Sequence, residues 1–236
     1  MNTARKTRRT SLVEPEPLPA AERPPSKLQH HFESMEQQRD ASTLAMWVFL
    51  VTEILFFGGF FLAYTVYRWQ YARGFAEASV HMDIVLGTIN TAVLIVSSLT
   101  MAMAVHSAST GRRGRLLGFL SATILLGLAF LGIKAVEYTD HIRHHLLPGP
   151  GFHFSGANAP AAQMFFSLYF GMTGLHALHM VVGIGIVSTL LVMAYRGRFS
   201  PDYYNPVEVS GLYWHFVDIV WIFLFPLLYL IGRHLR

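Results

Sequence analysis

Beyond residue 43 the chain is divided by polar breaks into five long apolar runs, at about 44–67, 83–106, 116–139, 163–195 and 208–233. Each is long enough for the roughly 20 helical residues that cross a bilayer core about 30 Å thick. None shows the polar–apolar alternation over about 10 residues that a membrane β-strand requires. In hydrocarbon the backbone must satisfy its own hydrogen bonds, so runs of this kind predict helices. The pattern therefore predicts an all-α polytopic membrane protein, a five-transmembrane-helix bundle. At about 1.5 Å rise per residue the fourth run outreaches the bilayer core, so it should tilt or protrude.

Residues 1–40 break the pattern. Arg5, Lys6, Arg8 and Arg9 lead into a Pro- and Glu-rich stretch at 14–25, which predicts a disordered cytoplasmic tail ahead of a membrane domain at 41–236. Arg8-Arg9 is not read as a twin-arginine export signal, because Glu14-Pro15-Glu16-Pro17 stands where an apolar core should follow. Only 14% of the 236 residues are charged, against about 25% in soluble domains. A soluble helical bundle is the alternative, and five runs with almost no charged face speak against it. The absence of cysteine excludes a disulfide framework, an iron–sulfur cluster and a thiolate zinc site. The formal charge of +4 does not point to nucleic acid, because most Lys and Arg lie between the apolar runs. If the spans alternate, twelve cations fall on the side of the N-terminus and five on the other. That asymmetry predicts a cytoplasmic N-terminus and an external C-terminus.

Charged groups inside the spans carry the candidate chemistry, since each is costly in hydrocarbon and calls for a reason. Glu53 stands near the middle of the first span and reads as a proton-linked or lipid-linked group, or as a packing hydrogen bond. Lys134 and Glu137, three apart on the third span, can pair on one face, and Lys134 can also snorkel. His176 and His179 share a face of the fourth span. Two histidines can ligate a metal or haem, but the spans hold no compact ligand set around them. Hydrogen bonding to a carboxylate such as Glu53 or Asp218 is the preferred reading. Gly171, Gly174, Ala177, Gly183 and Gly185 on that span would let another helix approach closely. On the last span His215 and Asp218 can pair. Trp214 and Trp221, with Trp47 on the first span, read as packing or lipid-contact aromatics. His141, His144, His145 and His153, near Pro148-Gly149-Pro150-Gly151, read as solvated loop histidines rather than a metal site.

Four segments carry a resemblance. Residues 46–57 (MWVFLVTEILFF), 130–138 (FLGIKAVEY), 173–183 (TGLHALHMVVG) and 213–221 (YWHFVDIVW) resemble, in order, segments of the cytochrome c oxidase subunit III family. Many members of that family have seven helices, and this chain resembles a five-helix form. The resemblance implies a subunit without haem or copper of its own, which sit in partner subunits. It implies contact with oxidase subunit I, assembly with subunit II, structural phospholipids and support of proton uptake. It also implies that Glu53 is the family's carbodiimide-reactive membrane carboxyl. The expected location is the bacterial cytoplasmic (inner) membrane, in a respiratory complex reducing oxygen to water. The equivalent subunit of a quinol oxidase or a nitric oxide reductase assembly is the alternative. A stand-alone transporter is the remote one, since no internal repeat is present.

Overall fold

The computed structural model describes residues 32–230. The expected tail lies outside the described residues up to residue 31. Chain contacts separate two units, residues 1–38 and 39–236. In the first, Ser34 opens a helix: the N–H of Gln37 donates to Ser34 Oγ at 3.1 Å, and Gln37 Oε1 accepts from the N–H of Glu33 at 2.8 Å. This is close to a capping box, and it starts the helix at Met35, ahead of the first apolar run.

The helices are α1 (Met35–Gln70), the short α2 (Ala72–Ser79), α3 (Ile84–Ser109), α4 (Arg113–Arg143), α5 (Ala159–Tyr195) and α6 (Asn205–Phe225), which runs on into a π-helical turn, Pro226–Leu230. Five of them, all but α2, are long and apolar enough to cross a membrane. α5 has 37 residues, roughly 55 Å at the α-helical rise, so it outreaches the hydrocarbon core as its apolar run predicts.

Local chemistry sets the ends. Asp83 caps α3 by accepting from the N–H groups of Val85 and Leu86 at 2.8 and 3.1 Å. Pro160 and Pro206 stand in the first turns of α5 and α6, where a missing N–H costs nothing. α3 and α5 close with left-handed glycines, Gly111 (φ 69°) and Gly197 (φ 70°). The next N–H reaches back five residues in each case, from Arg112 to Ser107 O and from Arg198 to Met193 O. α4 closes in the same way with His145 at φ 57° in the glycine's place.

α3, α4, α5 and α6 pack as a closed ring, each against its two neighbours. Buried positions on α3 (Gly87, Asn90, Leu94, Ser97, Met101, Ala104) and α4 (Leu116, Leu120, Thr123, Gly127, Phe130, Lys134) alternate steps of three and four. That is the seam of left-handed helix packing. α1 differs, because it buries one narrow stripe, Leu50, Phe57 and Tyr64, spaced by sevens. It is fastened through side chains: Phe57 meets Phe216, Phe49 stacks on Tyr213, and Tyr64 donates to Leu227 O at 2.5 Å. Arg39 and Glu208 form an ion pair at 3.0 Å where α1 and α6 begin. Arg113, at the start of α4, donates to the carbonyls of Ala194 and Tyr195 at the end of α5.

Trp214 is the centre of the ring. A Cβ added to Gly127 or Gly183 would stand 3.0 or 3.1 Å from its indole, and its Nε1 donates to Ser97 Oγ at 3.1 Å. Both Trp214 and Trp221 are buried. They are packing aromatics, and of the three tryptophans read from the sequence only Trp47 is exposed.

Candidate functional site

Three clusters within the spans hold most of the ionisable side chains that the sequence singled out. The first joins α1 to α5. His179 Nε2 lies 3.1 Å from Glu53 Oε2, and both side chains keep a little exposure, 14% and 17%. His179 Nδ1 lies 2.9 Å from the carbonyl of Leu175, four residues back. A carbonyl only accepts, so Nδ1 must carry a proton. Two arrangements remain at Nε2: a protonated Glu53 donating to a neutral imidazole, or an imidazolium donating to the carboxylate. In either, one proton lies between the two groups. Phe57 and Tyr213 flank the imidazole at 5.4 and 6.5 Å, and Tyr213 donates to the His179 carbonyl at 3.0 Å.

The second group is sealed within the ring. Lys134 Nζ donates to Glu137 Oε2 at 3.0 Å, with both side chains almost fully buried, so Lys134 does not snorkel. Glu137 Oε1 accepts from the hydroxyls of Tyr169 (2.8 Å) and Tyr229 (2.5 Å), and Lys134 also reaches both tyrosine oxygens at 3.1 and 2.9 Å. Its ammonium lies 5.1 Å from the Trp221 ring. Tyr229 reaches the pair from the π-helical turn, which starts at Pro226, a residue with no N–H for the regular ladder. The sequence pointed to the pair; it did not point to the tyrosines, which are 32 and 92 residues from Glu137.

His176 faces a different neighbourhood from His179. It is fully buried against Trp221 (5.3 Å) and Phe130 (5.4 Å), and neither ring nitrogen makes a hydrogen bond. The two histidines therefore serve different contacts despite sharing a face.

The third group links α3 to α6, and here the expected pairing is not formed. His215 Nδ1 turns to Ser98 Oγ on α3, at 2.7 Å, and the Asp218 oxygens make no hydrogen bond. The i, i+3 spacing permitted the pair; the hydroxyl of the next helix competes for the imidazole and takes it. His215 stands between two cavities. One, about 370 Å³, lies between α3 and α6 and is lined by Ser98, His215 and Asp218 among aliphatic residues. The other, about 500 Å³, lies between α1 and α6 and is almost wholly apolar, with Trp47, Ile54, Phe57, Phe61 and Phe223 in its walls.

The histidines near residues 141–153 do not gather. His141 is buried in α4 and not in a loop, with Nδ1 on the Glu137 carbonyl at 2.7 Å, while His144 leans on Asp140 at 3.5 Å. Among the described residues no three metal-ligating side chains come together. Of the small residues on α5, Gly183 admits the Trp214 ring, and Gly185 faces open space.

Residues 29–233 match the family model of cytochrome c oxidase subunit III. The chain is 30% identical over 191 residues to the cytochrome bo(3) ubiquinol oxidase subunit 3 of Pseudomonas aeruginosa, covering 81% of this chain and 85% of the relative. It is 32% identical to the cytochrome c oxidase subunit 3 of Alkalihalophilus pseudofirmus, over 80% of this chain and 86% of that one. It is also 32% identical to the quinol oxidase subunit 3 of Bacillus subtilis, over 84% and 92%.

Proposed function

The chain belongs to the cytochrome c oxidase subunit III family, and from that membership we propose that it is the accessory, non-redox subunit III of a proton-pumping haem–copper respiratory oxidase. It stabilises the haem-bearing subunit I, stands in a complex with subunit II, holds phospholipid and supports proton uptake during turnover. The observation that carries this reading is the Glu53–His179 pair, with one proton between two titratable groups at the partly exposed edge of α1 and α5. A pair that only locked packing would be expected within the ring, as Lys134 and Glu137 are. The apolar cavity between α1 and α6 supports the lipid role, since its walls suit an acyl chain.

The electron donor is cytochrome c in this reading. Quinol is the second reading, because relatives named as quinol oxidase subunits match about as well as the cytochrome c oxidase subunit does. The test is affinity isolation of the tagged chain from its membranes in mild detergent, followed by a visible spectrum and oxygen uptake with each reduced donor. Haem absorption with larger co-purifying subunits is expected, with oxygen uptake driven by reduced cytochrome c. Recovery of the chain alone, without haem, overturns the oxidase reading; uptake driven by quinol alone overturns only the choice of donor.

A further inference from the structure

Tyr213, on α6, touches both helices that carry the Glu53–His179 pair. Its ring stacks on Phe49 of α1 (6.1 Å, 29°) and on the His179 imidazole of α5 (6.5 Å, 26°). Its hydroxyl donates to the His179 carbonyl at 3.0 Å. Phe49, Glu53 and Phe57 are spaced by fours on α1 and so lie along one face. All three meet this contact: Phe49 meets Tyr213, Glu53 meets His179 Nε2, and Phe57 stands 5.4 Å from the imidazole. The His179 carbonyl also faces the N–H four residues on, that of Gly183. A second donor must therefore come in beside residue 183. The missing side chain there gives Tyr213 its approach, since a Cβ on Gly183 would stand 3.2 Å from a Tyr213 ring atom.

The bond from His179 Nδ1 to the Leu175 carbonyl fixes which nitrogen carries the proton. It sets neither the plane of the imidazole nor its distance from α1. The Tyr213 ring face and the hydroxyl bond act on the first, and the stack on Phe49, one turn before Glu53, acts on the second. We propose that Tyr213 is the positioning residue of the Glu53–His179 pair, holding His179 Nε2 within hydrogen-bond reach of Glu53. The inference rests on the proton-linked reading of that pair and adds to it the residue that sets its geometry. Tyr213 takes no proton from the pair: its own hydroxyl proton is committed to a backbone carbonyl, and it acts through His179.

The infrared bands of the Glu53 carboxyl report this geometry, because they shift with the hydrogen bond to His179. The full complex is measured in membranes. The Glu53 band is assigned by its loss in Glu53→Gln, and His179→Leu gives its position without the imidazole. Tyr213→Phe keeps the ring and drops the hydroxyl bond, while Tyr213→Leu drops the stack as well. Both variants should move the Glu53 band toward its position in His179→Leu, the Leu variant by more than half the way and the Phe variant by less. An unchanged band in either variant, in a complex that still carries haem, overturns the proposal and reduces Tyr213 to packing. Where the Leu variant fails to assemble, the Phe variant decides by the same criterion. A band at one position in both the unaltered chain and His179→Leu removes the pair itself, and the proposal with it. Haem that still co-purifies in these cases leaves the subunit III reading standing. An unaltered chain recovered without haem overturns that reading, while the band shifts still decide the role of Tyr213.

Discussion

Lys134 and Glu137 form an ion pair at 3.0 Å that is enclosed within the ring, with tyrosine hydroxyls on both members. Such a pair gives little net stability over apolar residues of the same volume, yet removing one member leaves an uncompensated charge. Lys134→Met and Glu137→Leu should each destabilise the chain by about 3–5 kcal/mol. The double variant should lose much less than the sum. A thermal melt in detergent, followed by tryptophan fluorescence, reads this directly. Additive losses would mean that the two side chains act through separate contacts.

Gly183 and Gly185 are predicted to behave oppositely on substitution by Ala. A Cβ at 183 would stand 3.1 Å from two Trp214 ring atoms and 3.2 Å from Tyr213, whereas a Cβ at 185 meets nothing within 4 Å. Overpacking should make Gly183→Ala about 1–3 kcal/mol less stable. Gly185→Ala should be neutral or up to about 1 kcal/mol more stable, from helix propensity alone. Adding Trp214→Phe should recover part of the Gly183→Ala loss, since the smaller ring vacates the contact. The same melts measure all three.

Orientation is tested at the two ends. Arg39 at the start of α1 meets Glu208 at the start of α6, and Arg113 at the start of α4 meets the end of α5, so these ends share one side. These arginines belong to the cation-rich side, so the N-terminus should be cytoplasmic and the C-terminus external. Reporter fusions active only on one side of the membrane should give opposite results at the two termini, with the cytoplasmic signal at the N-terminus. Same-side results would remove one of the five crossings.

The helices were legible because hydrocarbon leaves the backbone only helices or closed barrels, and long unbroken apolar runs without alternation select the helix. The intramembrane polar residues were legible for a related reason: a charge at that depth is conspicuous whatever its partner. Partners were legible within a turn of helix and, for His179, across helices, where the expected carboxylate partner is Glu53. Lys134 with Glu137 follows from spacing, but Tyr229 enters their network through the π-helical turn after Pro226, which no periodicity announces. The same locality explains the failed pairing of His215 with Asp218. Spacing compares residues on one helix and is blind to Ser98, which comes from α3. The glycines of α5 read as room for another helix; at Gly183 the neighbour is the indole of Trp214 and not a helix backbone, and at Gly185 nothing stands within 4 Å.

Glu53 and His179 give the prediction that bears most on function. With Nδ1 committed to the Leu175 carbonyl, the only proton that can move in this pair lies between His179 Nε2 and Glu53 Oε2. Glu53→Gln keeps the size and, through its amide, a donor to a neutral imidazole, but it cannot ionise. Glu53→Ala removes the side-chain hydrogen bond between α1 and α5, and α1 buries only a narrow stripe. The Ala variant should therefore loosen the subunit, seen as lower co-purification with the haem-bearing subunits. The Gln variant should assemble normally and show a partial fall in sustained turnover or proton pumping, as the proposed role of supporting proton uptake without carrying the obligatory path requires. Unchanged turnover and pumping for Gln would reduce the pair to packing. Complete loss of oxygen reduction in a fully assembled Gln complex would place Glu53 on the obligatory path instead, and the accessory role proposed for this chain would have to be abandoned.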